Sequence, residues 1–536
     1  MLISLEQANQ QIRGGTYGRL PYRIGGLGKT AKSMKRARIT NPSLLRNPWT
    51  GPGERSATRN RLARPCRAYL MGVMFLLGGT LGGTLSSSLI AAITYAADDP
   101  KRSVSHSGES LAADFLALIL ATESDSIGEA ISAISETWQP SVLPMAIEAY
   151  QYSRSERARA FLGRKIDELT GLKAADDINR IYYWLWNQDI EPSSDYGDFK
   201  AGLYRYIDPA FEAYFLDRQA TARIRLDEIR WGGVRQDGIP PLRNPKMIAA
   251  EEAEYLEDDN IVFGITVNGD ARAYPKRILA WHEMFTDTIG GTPIAGVYCT
   301  LCGTVIPYRT EWNGKSFTLG TSGFLYRSNK LMYDRATQSL WSTERGEPVL
   351  GPLVDKGISL AFESVVTTTW GEWKRRNPRT TVLALNTGYQ RDYGEGAAYR
   401  DYFGDDELMF NTPFSDQRLA NKREVLALRF AGAPKQQLAI DTEFLRNNPV
   451  YTNRIGQQEF VVLTDVTGAN RVYDPGTVTF IRYDGRDKAT DSTGENWTVS
   501  EESLVSDSGQ TLQRLPYHRA FWFGWQAAFP QTELVK

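Results

Sequence analysis

At 536 residues the chain exceeds what one ordinary hydrophobic core organises, so two or more folded units are expected. An apolar content of 42%, with 13 Trp, 26 Tyr and 21 Phe, excludes an intrinsically disordered chain. The formal net charge of −1 is unevenly divided: residues 1–69 carry 14 Lys and Arg against Glu6 and Glu54, leaving 48 basic and 61 acidic side chains beyond them. An acidic folded part lacks the electrostatic footprint of a nucleic-acid binder.

Residues 1–69 read as a basic targeting or non-structural tail, rich in Arg, Gly and Ser. The uncharged stretch 70–97 follows, with Phe75-Leu76-Leu77, Leu89-Ile90-Ala91 and a small-residue exit at Thr94-Tyr95-Ala96-Ala97. Basic flank, apolar run and small exit describe a secretory signal. The run approaches the roughly 20 residues a membrane helix needs, but its Gly, Ser and Thr make it a poor permanent anchor. Cleavage is preferred over a retained membrane anchor; an Arg-rich organelle transit peptide, or a true start at Met34 or later, are the alternatives. Either the signal or the anchor reading places everything beyond Ala97 outside the cytoplasm, in the periplasm, envelope or medium.

Residues 98–110 read as a polar linker. From 111 to 230 the pattern is helical: Leu111, Phe115, Leu118 and Ile119 share a face, as do Ile127, Ile131 and Ile134. Further helices are predicted at 142–152, 155–169 and 176–187, with Ser155 capping the second. The region reads as an α-solenoid, loosely HEAT-like, or equally as a plain bundle, and offers a surface for a protein partner. Residues 231–536 read as a β-rich α+β domain, making the whole chain α+β. Strands are predicted at 261–267 and 271–274 around the Asn268-Gly269 turn, then at 293–298, 304–310, 316–320, 459–466 and 477–483. Short helices are predicted at 276–287 and 369–376.

Past the apolar run only two cysteines remain, Cys299 and Cys302, in Tyr298-Cys299-Thr300-Leu301-Cys302-Gly303. In an exported protein this spacing means a redox pair, half of a metal site or a structural disulfide. Thioredoxin chemistry wants the first cysteine at a helix N-terminus, whereas Gly303-Thr304-Val305-Ile306-Pro307 are poor helix formers. Strand, C-x-x-C-G, strand instead describes a knuckle-like turn in which Gly303 allows a positive φ. Of the chain's three histidines, His106 lies in the linker, while His282 and His518 lie in the same domain as the cysteines. Cys299, Cys302, His282 and His518 would make a shell for zinc or copper, and Cys299, Cys302 and His282 a catalytic set; a packed, satisfied histidine is the competing reading. Glu283 and Asp287 flank His282 on the predicted helix, where Asp287 would orient the imidazole or act as a base, or both would be solvated carboxylates. A third arrangement, a polar–aromatic pocket of Asp334, Arg335 and Trp341, competes with an ordinary ion pair and core tryptophan. The absence of C-x-x-C-H excludes covalent c-type haem, and no G-x-S-x-G, H-E-x-x-H, P-loop or dinucleotide fingerprint occurs.

From about 231 to its end the chain resembles the domain-of-unknown-function 3179 family, found mostly in bacterial and archaeal envelope proteins. The segments carrying the resemblance are Ala271-Arg272-Ala273-Tyr274-Pro275, His282-Glu283 with Asp287, and Tyr298 to Thr304. They continue through Gly320 to Tyr326, Met332-Tyr333-Asp334-Arg335, Ser339 to Ser342, Gly351-Pro352-Leu353 and Phe521-Trp522-Phe523. The family brings no established reaction. Relatives described as selenoproteins imply thiol or selenol chemistry. The expectation is therefore a thiol-redox or metal-dependent oxidoreductase, against a non-enzymatic envelope module whose cysteines are structural.

Overall fold

The computed structural model describes residues 110–536, which form a mixed structure of helices followed by several sheets. The tail at 1–69, the signal or anchor at 70–97 and nearly all of the linker lie outside the described residues. Among the described residues no helix is long and apolar enough to cross a membrane.

Helices span Leu111–Leu120, Ser124–Glu136, Leu143–Tyr152, Glu156–Thr170, Ile178–Trp186 and Tyr196–Tyr204. The Ser155 side chain accepts the Ala158 amide hydrogen, and Gly171 closes the same helix at φ +69°. A capping hydroxyl and a left-handed glycine satisfy the end groups that a helix leaves unpaired. Phe115, Leu118, Ile134, Leu162, Ile181 and Phe199 are buried in one core. That core continues into Phe324, Leu331, Leu340 and Leu350 of the first sheet. Lys200, fully buried, bonds Glu148 at 2.6 Å and the Ile229 carbonyl at 3.0 Å, tying the helices to the sheet's edge strand.

This sheet is antiparallel, in the order Ile229–Trp231, Leu319–Tyr326, Asn329–Asp334, Leu340–Ser342 and Glu347–Leu350. A four-stranded sheet carries Leu242–Arg243, Met284–Ile289, Thr292–Cys299 and Thr304–Arg309. A five-stranded sheet holds Ile261–Val267 and Asp270–Pro275, joined through Asn268 and Gly269, both at positive φ. Further along, His518–Phe521 pairs with Glu424–Arg429 in another four-stranded sheet, and residues 450–513 build two more antiparallel sheets.

The helix predicted at 276–287 is a correction. Only Lys276–Leu279 is helical, and Met284–Ile289 is a strand. The helix ends at Leu279, a turn follows, and Glu283 at φ +54° leads into the strand, where β-branched Thr286, Thr288 and Ile289 suit the extended chain. Glu283 and Asp287 therefore do not share a helix with His282.

Candidate functional site: the buried cysteine hairpin

Strands Thr292–Cys299 and Thr304–Arg309 pair antiparallel with Cys299 opposite Thr304. The chain reverses through Thr300 to Gly303, and Gly303 takes φ +62°, a conformation that costs a side-chain-bearing residue about 1–2 kcal/mol. A Cβ there would also stand 2.9 Å from the Phe521 ring. The turn joins Cys299 and Cys302 as a disulfide, their Cα atoms 5.4 Å apart. Cys299 is 2% exposed and Cys302 is fully buried. The Cys302 carbonyl receives the Phe521 amide hydrogen at 2.7 Å and the Thr304 hydroxyl at 3.3 Å. Gly524 lies so close that an added Cβ would be 2.7 Å from the Cys302 Cβ. The C-terminal Phe521-Trp522-Phe523 segment thus packs directly on the cysteine turn.

Between the cysteines, Thr300 donates its hydroxyl to Glu283 Oε1 at 2.8 Å, and Tyr399 donates to the same oxygen at 3.1 Å. Glu283 Oε2 meets Lys330 Nζ at 2.7 Å, and Lys330 also donates to the Glu283 carbonyl at 3.2 Å. Both charged residues are buried. Burial pushes the Lys330 pKa down, opposed by the Glu283 carboxylate. A buried charge of either sign is costly unless paired and hydrogen-bonded, and here the carboxylate has three donors.

Lys330 is carried to this position by a two-residue hairpin loop. Tyr326 pairs with Asn329, leaving Arg327 and Ser328 as the central residues, at φ +50° and +63°. Two successive positive φ values define the hairpin turn that asparagine and glycine normally fill. Arg327 is held by an ion pair with Glu228, whereas the buried Ser328 hydroxyl has no hydrogen-bond partner among the described residues. The Ser328 carbonyl stands 3.6 Å from Cys302 Sγ, placed to accept that sulfur's hydrogen in the reduced state.

A third segment covers the disulfide. Tyr402 donates to the Leu301 carbonyl at 2.8 Å, and Tyr402 packs with Cys299, Leu301, Cys302 and Leu325. Tyr399, Phe403, Met409 and Phe410 surround that cluster.

Beside the hairpin, a cleft of about 610 Å³ is lined by Arg327, Asn329, Lys330, Glu344, Arg345 and their neighbours. Glu344 is 1% exposed, and neither carboxyl oxygen has a well-formed hydrogen bond among the described residues. Desolvation raises its pKa to about 7, against the opposing pull of Arg429, the Thr304 hydroxyl and Arg345.

The histidines lie elsewhere. His282 Nδ1 contacts the Pro240 carbonyl at 2.8 Å and Nε2 the Tyr393 hydroxyl at 2.6 Å; burial lowers its pKa. His518 Nδ1 reaches only the Arg519 carbonyl at 3.2 Å, and the ring packs edge-on to Phe362 and Trp525. Burial lowers the His518 pKa to about 3, with Arg429 adding to the effect. Among the described residues no group of three or more His, Cys, Asp or Glu is arranged to hold a metal ion. The structure therefore brings Cys299 and Cys302 together but does not gather His282 and His518 around them in one such group. Asp287 bonds the Tyr274 hydroxyl and Arg272, each at 2.7 Å, instead of the imidazole. Asp334 caps its own loop through Thr337, Ser339 and Trp341, while Arg335 pairs with Asp237 and Trp341 is fully buried.

Lys330, Tyr399, Tyr402 and Glu344 carry no motif in the sequence that marks them. The one local signal was Arg327-Ser328, a hairpin turn without glycine between two apolar strands, which marks a strained loop.

Fold and site together define a mixed helix-and-sheet protein built around a buried cysteine hairpin. Residues 236–532 match the model of the family described as protein of unknown function (DUF3179), and the chain belongs to that family. No curated protein and no solved structure matches the chain.

Proposed function

We propose that this is an exported thiol–disulfide oxidoreductase whose redox centre is the Cys299–Cys302 pair. The observation that carries the reading is the setting of the disulfide. A purely structural staple has no need of a buried lysine–carboxylate pair bonded to the residue between its cysteines, nor of a strained turn aiming a carbonyl at one sulfur. In the reaction an external dithiol gives two electrons and two protons. Its two S–H bonds become one S–S bond, and the protein's S–S bond becomes two S–H bonds. The thiol reading is preferred to zinc or copper because the sulfurs are joined to each other and, among the described residues, no group of three or more His, Cys, Asp or Glu is arranged to hold a metal. Export is supported by the basic tail and the apolar run 70–97, read as a cleaved signal. The helical region is read as a bundle rather than a solenoid, supported by the core it shares with the first sheet.

The test is to incubate the oxidised full chain with graded dithiothreitol and count alkylated thiols by mass. Reversible two-thiol reduction of the folded protein, and reoxidation by a small disulfide, is the expected result. Thiols that become alkylable only as the protein unfolds would sink the proposal. The near-complete burial of both sulfurs favours a second reading, in which the pair staples a turn of a binding module that uses its helical face. That reading expects the Cys299→Ser/Cys302→Ser protein to melt at lower temperature yet keep its partner.

A further inference from the structure

The charged side chains lining the cleft beside the hairpin fall into two sets. Arg223 is paired with Asp355, Arg327 with Glu228 and Lys330 with Glu283, so these cations are already neutralised. Arg345 rests over the Phe529 ring and donates to the Ala528 carbonyl at 3.1 Å. Against it stand Glu344 and Glu347, two carboxyl groups that no cation engages in an ion pair among the described residues. Arg429 and Arg345 pull on Glu344 electrostatically without closing on it. The uncommitted charge of the cleft is therefore negative.

The same lining holds acceptors without donors. Glu344 and Asn329 are each more than nine-tenths buried. Asn329 spends its amide hydrogen on the Gly524 carbonyl at 2.9 Å, and its Oδ1 accepts nothing among the described residues. Neither Glu344 oxygen has a well-formed hydrogen bond there either. Buried acceptors left in this state cost free energy, which a ligand bringing donors recovers. Leu331, Val349, Leu353 and Ile358 add apolar surface, and about 610 Å³ is the size of an ordinary small-molecule site.

We propose that the cleft binds a small organic cation with N–H donors on a hydrocarbon body, an alkylammonium or alkylguanidinium, taking Glu344 and Asn329 as its acceptors. A side-chain rotation brings the Glu344 oxygens, sealed from solvent, onto the ligand's donors, where the ionised carboxylate makes the bond charge-assisted. The hydrocarbon body lies on the apolar lining. An anion would meet two unpaired carboxyl groups and cations already spent on other acids. Nothing in this ligand site draws on the chemistry of the cysteines.

The test is a calorimetric titration of the full chain at pH 8, above the value of about 7 to which burial pushes the Glu344 carboxyl. The probes are n-butylguanidinium, n-butylammonium, tetramethylammonium and 1-butanol. Saturation by at least one of the first two, with a Kd of about 1 mM or tighter, is the expected result. Tetramethylammonium has charge without N–H donors and butanol has no charge, so both should bind at least tenfold more weakly. Glu344→Gln should weaken the cation at least tenfold. Ser359→Trp crowds the cleft from an exposed position of its lining and should weaken it as much, which keeps the site testable if Glu344→Gln fails to fold. No saturation by either N–H cation overturns the proposal. So does equal binding of tetramethylammonium or butanol, or a folded variant of either kind that keeps its affinity within twofold.

Discussion

Lys330 holds Glu283 twice, once by its carboxylate at 2.7 Å and once by its carbonyl at 3.2 Å. Because Glu283 sits at φ +54° and its carboxylate carries Thr300, the lysine secures both a strained backbone and the residue between the cysteines. Removing one member of a buried pair leaves an uncompensated charge, typically costing about 3–5 kcal/mol. Lys330→Met should destabilise the protein by that order in urea unfolding. Lys330→Met/Glu283→Gln should recover most of the loss, because no buried charge then remains. A double variant no better than the single one would contradict this account.

The covering segment sets how readily a reductant reaches the sulfurs. Tyr402 is bonded to Leu301 and shares one apolar cluster with both cysteines. Tyr402→Ala should speed dithiothreitol reduction of the folded protein at least fivefold, whereas Tyr402→Phe, which keeps the ring, should change it less. Equal rates in all three would mean that the disulfide is reached by another path.

Ser328 carries a left-handed backbone and an unpartnered hydroxyl. Glycine removes both costs, so Ser328→Gly should stabilise the folded state by about 1 kcal/mol, read as a raised urea midpoint with unchanged slope. A lowered midpoint would show that the hydroxyl has a stabilising partner.

His518 predicts acid sensitivity. Its pKa falls from the usual 6.5 to about 3 on folding, so between these values the unfolded chain binds the extra proton. Stability from this group is full above about pH 6.5 and is lost as pH falls toward 3, on the order of 5 kcal/mol across the window. His518→Phe, which keeps a ring between Phe362 and Trp525, should flatten that part of the stability–pH curve. An unchanged acid limb would assign the sensitivity to other groups.

Local elements were legible in the sequence wherever short-range chemistry decides them. Asn268-Gly269 marked its hairpin, Ser155 its helix start, and Gly303 with the β-branched run after it marked the cysteine turn. The helix expected through 287 stops at Leu279, and Glu283, which takes a left-handed backbone before the strand, is held by residues distant in sequence. The site's other half was illegible for the same reason. Lys330 is 47 residues from Glu283 and Tyr399 is 116, each on an element whose own pattern says only strand or loop. The scarcity of histidine drew attention to His282 and His518, yet each is a packed ring with its own local contacts. Rarity in composition carries no information about convergence in space.

The contacts of His282 have one more consequence, concerning the order of hydrogens. The Pro240 carbonyl can only accept, so Nδ1 must donate; a neutral ring then leaves Nε2 to accept from Tyr393. Tyr393 has spent its single hydrogen, so the Thr387 hydroxyl at 2.6 Å must donate to it. All three hydrogens point the same way, from Thr387 toward Pro240, and no second arrangement satisfies every oxygen and nitrogen. The imidazole is thereby a one-way clasp between two remote stretches of chain. Adding a proton to it would reverse the far end of the chain: Nε2 would donate to the Tyr393 oxygen, and the tyrosine hydrogen would turn to the Thr387 hydroxyl, so the clasp can persist with its direction changed.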